Sequence, residues 1–264
     1  MRITDAGPQY EWFTTNTVWL IGVFLGLACL ESAVRAVKRQ PVSKVEVLVN
    51  LGMWLFELVL RTFSGGFRWW VFSAVSTWAF ASLSLRPWSY LLLFLAVDCL
   101  YYWRHRLLHS TRLGWALHAP HHSSTDLSLT SSLRLGWVQR VVDDFFYLPL
   151  VLLGVPPLAV FVAIELNHAS QFWCHTLLIG RIPWLDFVLN TPSNHRVHHA
   201  RDRRLADSNY AATFILWDRA FGTYRKEPEA LDLGWSTPYS GKNPLVIQFR
   251  AIGQWWAARA ERSR

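Results

Sequence analysis

Ten histidines are the residues of this 264-residue chain most suited to chemistry, and all of them lie between positions 105 and 199. Eight fall in three clusters with the spacings His-x-x-x-His, His-x-x-His-His and His-x-x-His-His. Imidazole is the commonest protein ligand for zinc, copper, iron and nickel. The pattern therefore predicts a metal site whose candidate ligands are His105, His109, His118, His121, His122, His168, His175, His195, His198 and His199.

The spacing and number of these histidines predict two ions rather than one. Residues at i, i+3 and i+4 share one face of a helix, so each cluster should direct its rings to one point. A structural zinc takes four protein ligands and a catalytic zinc usually three. Eight to ten imidazoles therefore suit two ions with a position left for oxygen or substrate. We expect iron, which activates dioxygen, although zinc would replace it readily in purified protein because such a site binds zinc more tightly than ferrous iron.

Two acidic residues are the candidates for supporting these ligands. Asp98 lies two helical turns before His105, and Glu165 lies three residues before His168. A carboxylate that accepts the outer N–H of a ligand histidine fixes its tautomer and raises its basicity. We expect this role for both acids. Glu165 is also placed to be a direct ligand, and an ordinary polar contact between helices stays open for either residue.

The composition points to a membrane. The chain is 52% hydrophobic and only 17% charged, whereas a soluble domain carries roughly 25% charged residues. Residues 17–30, 69–85, 88–97 and 145–166 are nearly free of charge. A helix of about 17 residues rises about 25 Å, close to the roughly 30 Å hydrocarbon core of a bilayer. The sequence predicts an all-α integral membrane protein, and buried helices of a large soluble core are the alternative.

We expect three regions along the chain. They are an N-terminal region, 1–68, with an anchor helix at 17–37 and an amphipathic interfacial helix at 45–61; a di-metal region, 69–225, with transmembrane hairpins at 69–104 and 141–174; and a tail, 226–264, with an amphipathic interfacial helix. Arginine and lysine residues surround the segment after the first span and the first two histidine clusters, and short loops rich in them stay in the cytoplasm. The helical histidine domain should therefore face the cytoplasm, in a bacterial inner membrane or a membrane of the endoplasmic-reticulum type.

The histidine clusters and their flanking residues resemble the fatty acid hydroxylase and sterol desaturase superfamily. Residues 98–109 resemble its first motif and 117–123 its second. Residues 167–176, 191–199 and 209–223 most resemble its alkylglycerol monooxygenase-like branch. The resemblance covers about residues 90–225.

This resemblance implies a membrane-bound non-haem di-iron oxygenase that uses dioxygen and two electrons to hydroxylate a C–H bond of a lipid. A lipid or sterol desaturase with the same site is the alternative. The sequence carries no His-Pro-Gly-Gly cytochrome motif, so we expect a separate electron-donor protein or a reduced pterin such as tetrahydrobiopterin.

Other classes fit less well. The formal charge of +8 comes with no nucleic-acid recognition motif, so we expect no nucleic-acid partner. A zinc protease of the His-Glu-x-x-His type lacks its general base, because Arg106 follows His105. A di-haem cytochrome needs two axial histidines per haem, spaced less closely than these. A membrane metal-ion transporter stays open, although it would not need adjacent histidine pairs.

Overall fold

The computed structural model describes residues 8–233 and 242–262, with the side chains of residues 8–18, 20, 203 and 260–262 outside that description. The chain divides into two compact units after Val42. Over the described residues the fold is all-helical, and the one extended pairing is a single bridge between Ala200 and Leu233. This confirms the expected all-α class.

The α-helices over these residues are α1 Pro8–Val37, α2 Lys44–Ser76, α3 Pro87–Ser110, α4 Arg112–His118, α5 Trp137–Val142, α6 Leu148–Leu152, α7 Pro157–Ala169, α8 Pro183–Val188, α9 Pro192–His198, α10 Arg203–Ala206, α11 Leu216–Ala220 and α12 Pro244–Arg262. Short 3₁₀ turns lie at His121–Ser123, Leu129–Leu133, Asp143–Tyr147 and Phe172–Cys174.

The first unit contains α1, which includes the expected anchor at 17–37. The helix ends at Val37, and Arg39 then adopts a left-handed conformation with φ 58°. The Arg35 Nε donates to the carbonyl of Gln40 at 3.0 Å. This bond closes the turn that ends the helix.

Helix α2 joins two segments that we expected to be separate. The interfacial helix at 45–61 and the start of the arm at 69–85 form one continuous helix of 33 residues, without a break at Gly65 and Gly66. Among the described residues, this helix alone is long and apolar enough to cross a membrane. The spanning of hairpins 69–104 and 141–174 stays a prediction.

The expected helix at 69–85 is wrong in its second half. Helix α2 ends at Ser76, and residues 79–86 are not helical. The amide of Phe80 donates to the carbonyl of Leu152 at 2.8 Å, and that of Leu83 donates to Gly154 at 3.0 Å. These bonds to a distant turn replace the intrahelical bonds that apolar composition alone would favour.

The expected helix at 141–153 is also interrupted, by the 3₁₀ turn Asp143–Tyr147. Asp143 pairs with Arg104 of α3 at 2.7 Å, and Asp144 pairs with Arg68 of α2 at 2.6 Å. All four side chains are buried. Buried charges need such partners, so this turn takes the shape that brings both carboxylates to their arginines.

One face of α2 carries Glu46, Asn50 and Glu57, and this polar stripe packs against the histidine region of the same unit. Glu46 and Asn50 accept hydrogen bonds from the fully buried guanidinium of Arg134, each at 2.6 Å. About two helical turns after Asn50, Glu57 accepts a hydrogen bond from Arg140 at 3.1 Å. The stripe is therefore an internal contact, although its amphipathic pattern alone also fits a helix at the membrane surface.

An apolar core lies where α2, α3, α6 and α7 meet, and it fixes the helix that carries the first histidines. Phe72, Val97, Tyr147, Val151 and Ile164 belong to it and have no exposed surface. Full burial of such a side chain contributes roughly 1.5–3 kcal/mol. Because Val97 lies on α3, this packing sets the position and rotation of the helix on which His105 and His109 lie.

The expected C-terminal amphipathic helix is α12. Its Gln248 accepts from the amide of Trp137 and donates to the carbonyl of Leu135, both at 2.8 Å. Ile247 and Ala251 are buried on the same side, while Leu245 and Trp256 are exposed. One face of the helix thus packs on the protein, and contact of the other face with a membrane stays a prediction.

We expect Gly154→Ala to destabilise the fold. Gly154 has φ +99°, and an added Cβ would overlap the carbonyl oxygen of Ala81. Backbone strain of this kind costs about 1–3 kcal/mol, and the overlap adds to it. Thermal unfolding should show a lower midpoint than wild type, whereas Gly180→Ala, which meets open space, should leave it unchanged. An equal midpoint for both variants would contradict this account.

Candidate metal centre

Nine of the ten histidines form two compact groups. The first group is His105, His109, His118, His122 and His198, and the second group is His121, His175, His195 and His199. Within each group the candidate ligand nitrogens all lie within 4.8 Å of one another. Each group therefore has the density of donors that one metal ion requires.

The two adjacent histidine pairs place the groups side by side. His121 and His122 point into different groups, and so do His198 and His199. Consecutive residues of a helical turn point about 100° apart, so one His-x-x-His-His motif supplies both groups. The expectation that each cluster directs its rings to one point is therefore wrong for these two clusters. The rings of His122 and His199 stack across the boundary with centroids 4.6 Å apart. The arrangement suits two neighbouring ions.

His168 lies outside both groups. The guanidinium of Arg140 donates to its Nδ1 at 3.0 Å. The neutral ring then carries its hydrogen on Nε2, so neither nitrogen has a lone pair left for a metal. The helical spacing of His168 and His175 predicts a shared face, but α7 ends at Ala169 and the chain turns before His175.

Backbone carbonyls fix the tautomers of two rings in the first group. The Nδ1 of His105 lies 2.8 Å from the carbonyl oxygen of Tyr210, and that of His198 lies 2.8 Å from the carbonyl oxygen of Ser208. A carbonyl oxygen only accepts, so each Nδ1 carries the hydrogen and each Nε2 carries a lone pair. The Nε2 of His198 is buried without a hydrogen-bond partner among the described atoms.

A side-chain relay fixes a third ring. Gln139 donates its amide N–H to Asp143 at 2.9 Å, which leaves its Oε1 to accept from His118 Nδ1 at 3.0 Å. The Nε2 of His118 therefore also carries a lone pair, and it lies 2.9 Å from the Nε2 of His105. Two lone pairs at this distance repel each other unless a cation lies between them.

The second group also contains ring nitrogens whose lone pairs face each other. His121 Nδ1 donates to the carbonyl of Arg134 and His175 Nδ1 to the carbonyl of Gln171, both at 3.2 Å. Their Nε2 atoms lie 3.3 Å apart, again with facing lone pairs. The Nε2 of His195 lies 3.0 Å from that of His175 and 3.1 Å from that of His199. The donors converge on one point here too.

Protonation of one ring of each pair would remove the repulsion between the facing lone pairs, but burial keeps the rings neutral. It lowers the pKa of His121 to about 4 and that of His198 to about 3. Burial and the neighbouring rings lower the pKa of His118 and His195 well below the ordinary value. The donor set therefore fits metal cations, with four or five neutral imidazoles for each.

Neither expected carboxylate contacts a histidine of the two groups through its hydrogen bonds. Asp98 is fully buried and accepts from the amides of Thr213 and Phe214 at 2.9 and 3.1 Å, and from Trp217 Nε1 at 2.8 Å. It also accepts from Asn167 at 2.6 Å. Asp98 thus ties α3 to the segment before α11, and the direct bond that we expected from it to a ligand ring is not among these contacts.

Glu165 is paired with arginines instead. It accepts from Arg61, and from Arg140 at 3.1 Å. Arg140 in turn donates to His168. A carboxylate with two guanidinium partners is satisfied where it lies, which explains why Glu165 does not join either group.

Sequence analysis missed the groups that do contact the rings. The Asp207 carboxylate lies 3.2 Å from His109 Nδ1, and Gln139 contacts His118. Asp218 accepts from the amides of Tyr210 and Ala211 at 2.8 Å, and this holds the carbonyl that His105 uses. No spacing rule links these residues to the histidines, because the contacts form only when distant segments meet.

We expect Gln139→Leu to weaken metal binding about 10- to 100-fold, the usual effect of losing a partner of a ligand histidine. The leucine removes the acceptor that holds the His118 tautomer, while all nine donors remain. Competition of Zn²⁺ between the protein and a chelator measures the loss. Gln40→Leu changes an exposed glutamine of the other unit and is the control. Equal zinc affinity in Gln139→Leu and wild type would refute the relay.

The metal-free protein should lose stability as the pH falls from about 6.5 toward 4. The unfolded chain binds protons on its histidines near the ordinary pKa of 6.5, whereas folded His121 binds one only near pH 4. Each unit of difference corresponds to about 1.4 kcal/mol. Unfolding midpoints of chelator-treated protein at pH 7.5, 6 and 5 measure this trend. His121→Leu should show a smaller decline, and an unchanged midpoint in the wild type would contradict buried neutral rings.

Several known proteins are similar to part of this chain. The alkylglycerol monooxygenase of Xenopus tropicalis is 44% identical over 164 residues, which cover 62% of this chain and 36% of that protein. The human alkylglycerol monooxygenase is 41% identical over 170 residues, or 64% and 38% of the two chains. The ornithine lipid hydroxylase of Rhizobium tropici is 31% identical over 137 residues, or 50% and 41%. The chain thus spans only about two fifths of the length of these relatives.

No solved structure matches this chain. The sequence pattern described as fatty acid hydroxylase matches residues 90–223. That segment is half of the chain and contains all nine grouped histidines. The chain therefore belongs to the fatty acid hydroxylase family.

Proposed function

We propose that this protein is a membrane-bound non-haem di-iron oxygenase that uses dioxygen and two electrons to hydroxylate a C–H bond of a lipid. The observation that carries the proposal is the pair of histidine groups, in which facing lone pairs call for two neighbouring cations. The alkylglycerol monooxygenases and the ornithine lipid hydroxylase to which the chain is similar are, by name, enzymes that oxidise lipids.

The nine grouped histidines would hold the two ions. Imidazole suits iron, zinc, copper and nickel alike, and iron is the ion among them that supplies dioxygen activation for C–H chemistry when bound. In the balanced reaction one dioxygen, one lipid C–H bond, two electrons and two protons give one alcohol and one water. The protein's own part is to hold neutral donors in fixed tautomers and to exclude water around them.

The exposed surface supports a membrane location. On α2, the side chains of Phe63 and Trp70 are 81% and 64% exposed, and beyond its end Trp78 and Phe80 are 79% and 83% exposed. Large apolar side chains exposed together mark a surface that contacts lipid or protein. Together with the apolar length of α2, these side chains support a substrate that reaches the protein from the bilayer. The arginine-rich loops favour a cytoplasmic catalytic face.

The reaction needs an external electron source, because histidine side chains supply ligands but no electrons. A separate electron-donor protein or a reduced pterin such as tetrahydrobiopterin would fill this role. Ether lipids, sterols or hopanoids, fatty chains, ornithine lipids and carotenoids all carry accessible C–H bonds, and each of these classes is a candidate substrate.

We expect membranes that contain the wild-type protein to accumulate lipids heavier by one oxygen. His121→Ala removes one of four donors of the second group and should abolish this product. Mass spectrometry of total lipids from a host expressing either protein makes the comparison. Products lighter by two hydrogens would instead identify a desaturase, and metal uptake without lipid oxidation would identify a transporter.

Metal analysis of the same samples supplies the matched control. Protein made with iron present should hold two ions per chain, and His168→Gln should keep both because His168 lies outside the two groups. His121→Ala should lose at least one. One ion or none in the wild-type protein would overturn the di-iron proposal.

A further inference from the structure

A cavity of about 460 Å³ lies between α4 and α12, on a side of the histidine groups that the proposed function does not use. Its walls are Arg112, Trp115, Ala116, Ala251, Gln254, Trp255, Ala258 and Arg259. Small-molecule sites usually measure roughly 300–1,000 Å³. The cavity therefore has the size for one small ligand rather than for a protein surface.

A single indole separates this cavity from the first histidine group. Trp115 lines the cavity, and its ring centroid lies 5.3 Å from that of His109 and 5.4 Å from that of His122. Both histidines belong to the first group. A ligand in the cavity would thus contact a conjugated ring that itself contacts two candidate metal ligands.

The chemistry of the walls selects a particular kind of ligand. Trp115 and Trp255 contribute two indole rings to the walls, and aromatic rings stack favourably on indoles. Arg112 and Arg259 add two guanidinium groups, and none of the described residues that line the cavity is acidic. Guanidinium pairs well with phosphate and carboxylate, often through two parallel hydrogen bonds. A planar aromatic molecule with an anionic group matches these walls.

We propose that this cavity binds the reductant of the reaction, and that this reductant is neither a donor protein nor a pterin but a small planar aromatic molecule with an anionic group, of the dihydroflavin phosphate type. Trp115 then lies on the path of the electrons to the first histidine group. The reductant gives up two electrons and releases its protons to water, and it leaves in its oxidised form. These electrons are the two that the hydroxylation consumes, so the inference rests on the proposed function.

Binding can be tested without metal and without turnover. Flavin mononucleotide and riboflavin differ only by a phosphate, and their fluorescence reports binding to the metal-free full chain in phosphatidylcholine nanodiscs. We expect the mononucleotide to bind about tenfold more tightly than riboflavin, in line with hydrogen bonds to charged groups. Arg112→Gln and Arg259→Gln should each remove most of that preference. Trp115→Leu should weaken both flavins.

Arg250→Gln is the matched control, since Arg250 is an exposed arginine of the same helix that does not line the cavity. It should leave both affinities unchanged. Equal binding of the two flavins to wild type, or an unchanged preference in both cavity arginine variants, would overturn the proposal. Loss of the preference in nanodiscs that contain phosphatidylglycerol would identify a lipid phosphate site instead, which also overturns it.

A second measurement follows the electrons. In iron-loaded protein, Trp115→Leu should slow reduction by dihydroflavin mononucleotide at least tenfold, while reduction by the smaller dithionite ion should change little. Equal slowing with both reductants would contradict a path that begins in the cavity. If flavin binding behaves as expected but no oxidised lipid forms, the proposed function fails, and the cavity is then a flavin site without this role. If oxidised lipid forms but neither flavin binds, only the cavity inference fails.

Discussion

The structure depends on one electrostatic constraint, which is that neutral imidazoles buried together must not leave their lone pairs facing each other. The Nε2 atoms of His105 and His118 lie 2.9 Å apart, and those of His121 and His175 lie 3.3 Å apart. Because each of these rings uses Nδ1 to donate to an oxygen, rotation of a proton to Nε2 would break a buried hydrogen bond. A cation in each group removes the repulsion and keeps every outer bond.

That constraint explains why distant segments are needed. The carbonyl that orients His121 belongs to Arg134, whose guanidinium is held by Glu46 and Asn50 of α2. The carbonyl that orients His105 belongs to Tyr210, whose amide is held by Asp218. Both of these rings thus have a partner, and both partners are held in place by a further residue. One face of helix α2 therefore stabilises the second histidine group.

Much of the site could be predicted from the sequence, since the clustering and number of the histidines indicate two ions, although the division of each His-x-x-His-His motif between the two groups was not predicted. Spacing does not show what covers a helix face. His168, Asp98 and Glu165 lie at suitable helical intervals, yet each is already satisfied by other partners. Helix ends were predicted less well for the same reason. Residues 77–86 are apolar enough for a helix, but their backbone pairs with the turn at Gly154.

Carboxylates do support the ligand histidines, but most of them act through an intervening residue and not through a direct hydrogen bond to the ring. Asp143 acts on His118 through Gln139, and Asp218 acts on His105 through the Tyr210 backbone. Asp207, by contrast, contacts the ring of His109 directly. Two divalent cations held by neutral donors would carry a large net charge into a buried site, where unpaired charge is costly. The negative charges of Asp143 and Asp218, which lie one residue away from the rings, would stabilise the positive charge of the cations while the rings stay neutral. The Nε2 lone pairs of the rings that donate from Nδ1 to an oxygen would then stay available to the metal.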